Sequence, residues 1–229
     1  MLLRNSAWDA FDIERFTALQ PDLVITSLTP ELDLTGAAED TIAQIAPIAG
    51  LALRRIPVNA GIARLEAVAG AVGADIQSAQ MDIARDDFAR ASEVLRAAIA
   101  EKPGLTTLFM ASLPEDQIYI ANPAWFTDLL YFQELGLDIV MPDSPDGDGP
   151  TWETLSWEQA TKYPVDLVFQ RADLPFDDLN NVPTWALHPA AQAGQIGAWM
   201  QHLAPSYQGF TPALEALTET IRNSRDDVV

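Results

Sequence analysis

Apolar residues recur with helical spacing most clearly between Asp75 and Lys102. Ile76, Ala79, Ile83, Phe88, Ala91, Leu95 and Ala98 share one stripe, with Val94 and Ile99 beside it, while Asp86, Arg90, Glu93, Arg96 and Glu101 occupy the opposite face. The pattern predicts a long helix in which Asp75 accepts hydrogen bonds from the first free N–H groups and Pro103-Gly104 forms the stop. With no Gly or Pro inside, it would be a stiff rod of roughly 40 Å. Such a rod is either one face of an ordinary core or a strut between two lobes.

On both sides of it, strand and helix patterns alternate. Upstream come a capped helix from Asp12 to Leu19, a buried strand at Leu23–Ile25 and a polar, acidic loop over 28–40. A short helix at Thr41–Ala46, a strand at Gly50–Ile56 and a helix at Ile62–Val72 follow. Downstream, strands are predicted at Thr106–Met110 and Gln117–Ile120. Asn122-Pro123 then opens a helix carrying Trp125, Phe126, Leu129, Leu130, Phe132 and Leu135, which Gly136 ends. Asp138–Met141 reads as a short strand and 142–150 as a loop, and the run from Ser156 to Gln159 fits a capping box opening a helix. Val165–Phe169 is a buried strand, 171–183 a loop and Ile196–Met200 the last strand. Thr211-Pro212 caps a closing helix with Leu214, Leu217 and Ile221 on one face. This order predicts an α/β fold with largely parallel sheets.

Composition narrows the function classes. A chain of 229 residues can bury a real core as one large domain or two small ones, and its apolar runs are too short to span a bilayer. Met1 to Asn5 do not begin a signal peptide, so the chain is either cytoplasmic or given without its targeting segment. The absence of cysteine excludes disulfides, thiolate catalysis and Cys-ligated zinc, and the two histidines (His188 and His202) exclude a His-rich metal site. A net charge of −20 argues against nucleic acid and anionic membranes. No nucleophile elbow, phosphate loop or dinucleotide fingerprint is present, and Gly70-x-x-Gly73 lies in a helical stretch. The acidic loop around Asp143, Asp146 and Asp148 lacks EF-hand order and its closing Glu, so it reads as solvated, and neither a resident metal nor a cofactor is expected.

Two stretches repeat. Asp12, Glu14, Thr17, Pro21 and Asp22-Leu23-Val24 precede the long helix. Ser156, Glu158, Thr161, Pro164 and Asp166-Leu167-Val168 follow it, and the spacing from Glu14 to Asp22 equals that from Glu158 to Asp166. Caps and turn prolines recur in many proteins, but no helix-forming rule demands the shared Glu. Around these units the chain resembles the ABC-transporter substrate-binding proteins for ferric siderophores, cobalamin or haem. The resemblance runs through Ile45-Ala46-Pro47, Tyr119 to Pro123, Leu129-Leu130, Leu135-Gly136 and Pro183-Thr184-Trp185 to Gly194, and covers essentially the whole chain. It implies a class III periplasmic-binding-protein-like fold: a partial N-terminal lobe (1–61), linker helices (62–104) and a C-terminal lobe with the closing helix (105–229). Relatives carry one more strand–helix segment and a signal ahead of the position matching Asp12. The expectation is therefore an incomplete first lobe with an exposed strand edge prone to self-association. The full-length form is expected outside the cytoplasm, in the periplasm or as a cell-surface lipoprotein.

The same resemblance implies a non-enzymatic carrier of a ferric siderophore, of hydroxamate type, for a membrane permease. Trp152 matches an aromatic cleft position of hydroxamate-siderophore binders, and Tyr207 falls in a region that supplies further aromatic contacts. Arg171 follows a strand at the carboxyl end where α/β ligands bind, Arg54 and Arg55 end the matching first-lobe strand, and Trp125 opens a helix beside the cleft. Core packing or a solvated charge is the ordinary alternative for each. One departure is that Ile48-Ala49 stands where hydroxamate binders place an arginine, a role left to Arg54 or Arg55. Glu14 and Glu158 match the paired glutamates that dock on permease arginines; their alternative is a carboxylate favoured by a helix N-terminus. The readings that compete are cobalamin or haem as ligand, and a two-lobed α/β enzyme such as a transferase.

Overall fold

The computed structural model describes residues 12–27, 39–113, 117–146, 150–173, 179, 182–201 and 203–229. The predicted loop over 28–40 lies largely outside these residues, as do Asp148 and His202. Two compact units divide the chain, Met1–Arg54 and Arg55–Val229.

The first unit holds α1 (Ile13–Ala18), β1 (Val24–Ser27), α2 (Glu39–Ala43) and β2 (Ile48–Leu51). Asp12 caps α1, its Oδ1 accepting from the Arg15 amide at 2.9 Å. β1 and β2 run parallel, with Val24 opposite Ile48 and Ser27 opposite Leu51. The strand expected at Leu23–Ile25 is found one residue on, and it is not buried. Leu23 is 36% and Ile25 48% exposed, and Ile42 and Ala46 are the buried apolar residues among those described in this unit. Among the described residues of this unit, two strands and two short helices do not cover both faces of β1. β2 also ends at Leu51, so Arg54 and Arg55 lie beyond it rather than at its tip, and Arg55 takes a left-handed φ of 57°, which no strand accepts. Backbone amides of β1 and β2 are expected to exchange with deuterium much faster than those of the central strands of the second unit. Equal protection in a monomer would contradict this account of the first unit.

The second unit is built on one sheet. Its strands are β3 (Thr106–Leu113), β4 (Gln117–Ala121), β5 (Asp138–Ile139), β6 (Trp152–Ser156), β7 (Leu167–Arg171) and β8 (Ile196–Trp199). They are ordered β6-β4-β3-β7-β8, with β5 beside the start of β3. β3 pairs parallel with β5 and β7, and β7 with β8; β4 is antiparallel to β3 and β6. The sheets are therefore largely parallel, as the element order predicts. Strand alternation sends Phe109, Ala121, Phe169 and Trp199 to one face, under α4 (Ala79–Ala100), α5 (Thr127–Glu134) and α7 (Tyr207–Asn223). Leu108, Met110, Ile118, Ile120, Leu155 and Val168 go to the other, against Trp185 and Ala190. α3 (Val58–Ala71) adds Val58 and Ile62 to the first layer. Gly197 allows β8 to lie close to its neighbour, since a Cβ there would stand 2.7 Å from the Phe169 ring.

Helix boundaries differ from expectation at several places: α2 and α3 start at Glu39 and Val58 rather than Thr41 and Ile62, and the helix expected from Asn122-Pro123 is a 3-10 turn (Pro123–Trp125) before α5. α4 starts at Ala79, because the Ser78 hydroxyl caps it by accepting from the Met81 amide, while Asp75 turns back on the Gln77 amide at 3.1 Å. Its buried stripe is Ala84, Phe88, Ala91, Leu95 and Ala98, and Ile83 is 61% exposed. α7 begins at Tyr207 under a Ser206 cap and runs through Pro212. The extra turn buries Phe210 in line with Leu214, Leu217 and Ile221, and the bond that Pro212 cannot donate falls near exposed Gln208. At Ser156 the capping box forms, but only a 3-10 turn (Trp157–Gln159) follows. Lys162 and Tyr163 turn inward instead, to the buried Glu153 carboxylate at 2.6 and 2.5 Å.

A carboxylate and an imidazole close the bottom and back of this unit. Asp166 Oδ2 accepts from the Thr106 amide and hydroxyl (2.8 and 2.7 Å), and Oδ1 from the amides of Val228 and Val229 (2.9 and 3.2 Å). Burial works to raise its pKa, but these bonds outweigh it and hold the carboxyl below its ordinary value. Its contribution is thus present above the ordinary carboxylate range and is lost as pH falls through the lowered pKa. Asp166→Ala, which strands part-buried amides, is expected to lower the unfolding free energy by about 1–3 kcal/mol in urea titrations. His188 caps α6 (Pro189–Gln192), with Nδ1 accepting from the Ala190 amide and Nε2–H donating to the Tyr163 carbonyl at 2.9 Å, and its ring stacks on Trp185. Burial holds this imidazole neutral by lowering its pKa.

Candidate functional site

Sheet register brings an aromatic group together at the carboxyl end of the parallel strands. Thr154 lies opposite Tyr119 and Tyr119 opposite Ala111. One step past the Met110–Gln170 pair, Arg171 continues the row and stands opposite Trp199. Trp152, two residues before Thr154 on β6, points to the same face. Its ring meets Phe126 edge-on at 4.9 Å, Tyr119 edge-on at 6.4 Å and Trp199 at 6.0 Å with a 56° tilt. Phe126 in turn meets Trp199 edge-on at 5.2 Å. Phe126 and Trp199 are buried, while Trp152 and Tyr119 are half-buried, so two part-open rings stand on a closed aromatic base.

Asn122 fixes the loop that carries this base. Its Oδ1 accepts from the Ala124 amide at 3.1 Å, its Nδ2 donates to the Pro150 carbonyl at 2.8 Å, and its own amide donates to Thr151. The 3-10 turn Pro123–Trp125 is thereby tied to the entry of β6, which sets Phe126 beside Trp152. Trp125 adjoins Phe126, and the exposed Arg55 guanidinium lies 4.8 Å from its ring centroid, a cation–π contact. Trp199 donates Nε1–H to Asp128 Oδ2 at 2.6 Å.

The other expected site residues sit differently. Arg171 is mostly covered and grips Asp173 with two bonds of 2.6 and 2.9 Å, which satisfies much of its charge. Tyr207 donates its hydroxyl to Glu66 Oε2 at 2.9 Å and sets its ring edge-on to Phe88 at 5.5 Å. Glu66 also takes the Arg85 guanidinium, which with the Tyr207 bond lowers its pKa. Tyr207 thus ties the start of α7 to α3 and α4. Arg54 is exposed at the end of the first unit. Tyr119, Phe126 and Trp199 were not singled out as site residues from sequence, although Tyr119 opens the stretch to Pro123 that carries the resemblance.

Glu14 and Glu158 occupy like positions in separate units. Each is exposed, two residues after its cap, in the first turn of a helical segment. Hydrogen bonds from the Ser156 side chain and its own amide hold the Glu158 carboxyl below its usual pKa. The repeat does not extend to the aspartates, since Asp22 is exposed and Asp166 is the buried clamp.

Among the described residues no three His, Cys, Asp or Glu side chains gather to hold a metal ion, and no helix is long and apolar enough to cross a membrane. A groove of ≈ 350 Å³ between α4 and α7 mixes Arg90 and Arg222 with Glu215 and Glu219, and presents no convergent set of one charge.

Comparison with known proteins places the chain. Of the solved structures, DesE, a ferric-siderophore receptor protein from Streptomyces coelicolor, is 29% identical with a TM-score of 0.80, the match covering 96% of this chain and 76% of DesE. The Fe³⁺–Desferal-bound siderophore binding protein FhuD from Vibrio cholerae (20% identity, TM-score 0.62, 96% and 80% covered) shares the fold. So does FhuD2 from Staphylococcus aureus with bound ferrioxamine B (16%, 0.60, 92% and 80%). No curated protein matched. Residues 4–202 fit the family model described as "Periplasmic binding protein". With that match spanning most of the chain, the protein belongs to the periplasmic binding protein family, whose members bind substrates outside the cytoplasm and are not enzymes.

Proposed function

We propose that the protein is the substrate-binding component of an ABC importer and that its cargo is a ferric siderophore of the hydroxamate type. The observation that carries this reading is the Trp152–Tyr119 pair, part-open on a closed aromatic base, in a chain 29% identical to a ferric-siderophore receptor. A ferric siderophore is large and partly apolar and brings its own oxygen ligands for iron. Its receptor therefore needs aromatic walls and a few donors rather than metal ligands. Arg55, exposed beside Trp125, is the donor best placed to meet the oxygen-rich face of such a ligand; Arg171, bound to Asp173, serves as a secondary one. Glu14 and Glu158 are the docking points for permease arginines. The edge of the β1–β2 pair is a surface for self-association, to be read from the concentration dependence of sedimentation.

Quenching of intrinsic tryptophan emission by ferrioxamine B, haem and cobalamin tests the ligand class. Saturable quenching by ferrioxamine B at lower concentration than by the other two is expected. Preferential quenching by haem or cobalamin would reassign the cargo, and quenching by none would remove the transport reading.

A further inference from the structure

Asp128 is an acid in apolar surroundings. It lies in the first turn of α5, is 5% exposed, and lines a cavity of ≈ 40 Å³ whose other described lining residues, among them Phe109, Phe169, Leu203 and Phe210, carry no titratable group. From α7, β3, β7 and β8, which enclose it, no charged side chain faces the carboxylate among the described residues; its partners are the Trp199 indole and backbone amides at the head of α5. A buried carboxylate in such a place is costly unless the bonds it makes matter. Its bond to the Trp199 side chain fixes the ring that touches both Trp152 and Phe126.

We propose that Asp128 is a positioning residue for the ligand platform. By holding the Trp199 indole in one orientation, it sets where Trp152 stands and makes that placement sensitive to protonation. This rests on the ligand-binding reading above only for its consequence on affinity; the hold on Trp199 stands by itself. Burial, the dominant effect, pushes the Asp128 carboxyl up to about 6 despite the Trp199 bond. Protonation exchanges a charge-assisted indole–carboxylate bond for a weaker neutral one. The platform is then looser in mildly acidic surroundings than at neutral pH.

The test uses the whole chain labelled with ¹⁵N at its six tryptophans. The indole N–H resonance of Trp199 is assigned by its loss in Trp199→Phe, and is followed from pH 8 to 4.5 without ligand. A titration with midpoint near 6 is expected, absent in Asp128→Asn, which keeps an acceptor oxygen but cannot ionise. His188 stacks on Trp185 on the other face of the sheet, so any change in its protonation belongs to a different resonance and persists in Asp128→Asn. Ferrioxamine B affinity should fall several-fold between pH 7.5 and 5 in the wild type and stay flat, at the low-pH level, in Asp128→Asn. A Trp199 resonance that does not titrate, or titrates equally in Asp128→Asn, overturns the proposal. If ferrioxamine B binds at no pH while Trp199 still titrates, the positioning role stands and the siderophore reading fails.

Discussion

Trp152→Ala is expected to weaken ferrioxamine B binding by about 1–3 kcal/mol, or roughly 5- to 150-fold, the usual cost of removing an aromatic anchor. Trp152 is half-buried, and its inner edge is packed by Phe126 and Trp199 while Tyr119 stands at its side. That packing fixes the ring before ligand arrives, so little rotamer entropy is lost on binding. Because β6 pairs with β4 along its whole length, truncation of one side chain should leave the sheet intact and far-UV circular dichroism unchanged. Trp152→Phe should restore part of the affinity. Unaltered affinity in Trp152→Ala would move this ring from the ligand surface to packing.

Uptake by permease-containing vesicles is expected to be abolished in the double variant Glu14→Ala, Glu158→Ala, with ferrioxamine B affinity unchanged. Both carboxylates are exposed and neither belongs to the aromatic platform. If they merely answered helix dipoles, removing them would cost a little stability and nothing else. If they dock on permease arginines, each single variant should give intermediate transport, because charge pairs across an interface act on both encounter and hold. Weakened ligand binding with normal transport would reverse the assignment.

The sequence carried the alternation of strands and helices well, because most elements here obey one period over their whole length. It misled where a residue served two masters. β6 went unrecognised, its residues left between the loop over 142–150 and the cap at Ser156, because buried Glu153 puts a charge on the face it shares with Leu155, opposite Trp152 and Thr154. The charge is tolerated only because Lys162 and Tyr163 cover it, a contact made through a turn. Pro212 was read as a cap, yet the burial of Phe210 outweighed one lost backbone bond. The site was half legible. Trp152 and Trp125 were singled out as candidates, but their neighbours Tyr119, Phe126 and Trp199 come from three separate segments. The register of β4 against β6 and of β7 against β8 brings in Tyr119 and Trp199, and the Asn122-tied turn brings in Phe126, none of which any spacing along the chain encodes. Tyr207 was marked as an aromatic near the ligand, whereas its hydroxyl is committed to Glu66 on α3, a partner distant in sequence.

The central claim is that this chain binds a ferric siderophore, and calorimetric titration with ferrioxamine B and with the same siderophore free of iron tests it most directly. The account predicts a single saturable site for ferrioxamine B and much weaker binding of the iron-free, extended form, which has not been folded into a compact shape around the metal. Failure of ferrioxamine B to saturate the protein, or equal affinity for the iron-free chain, would contradict it.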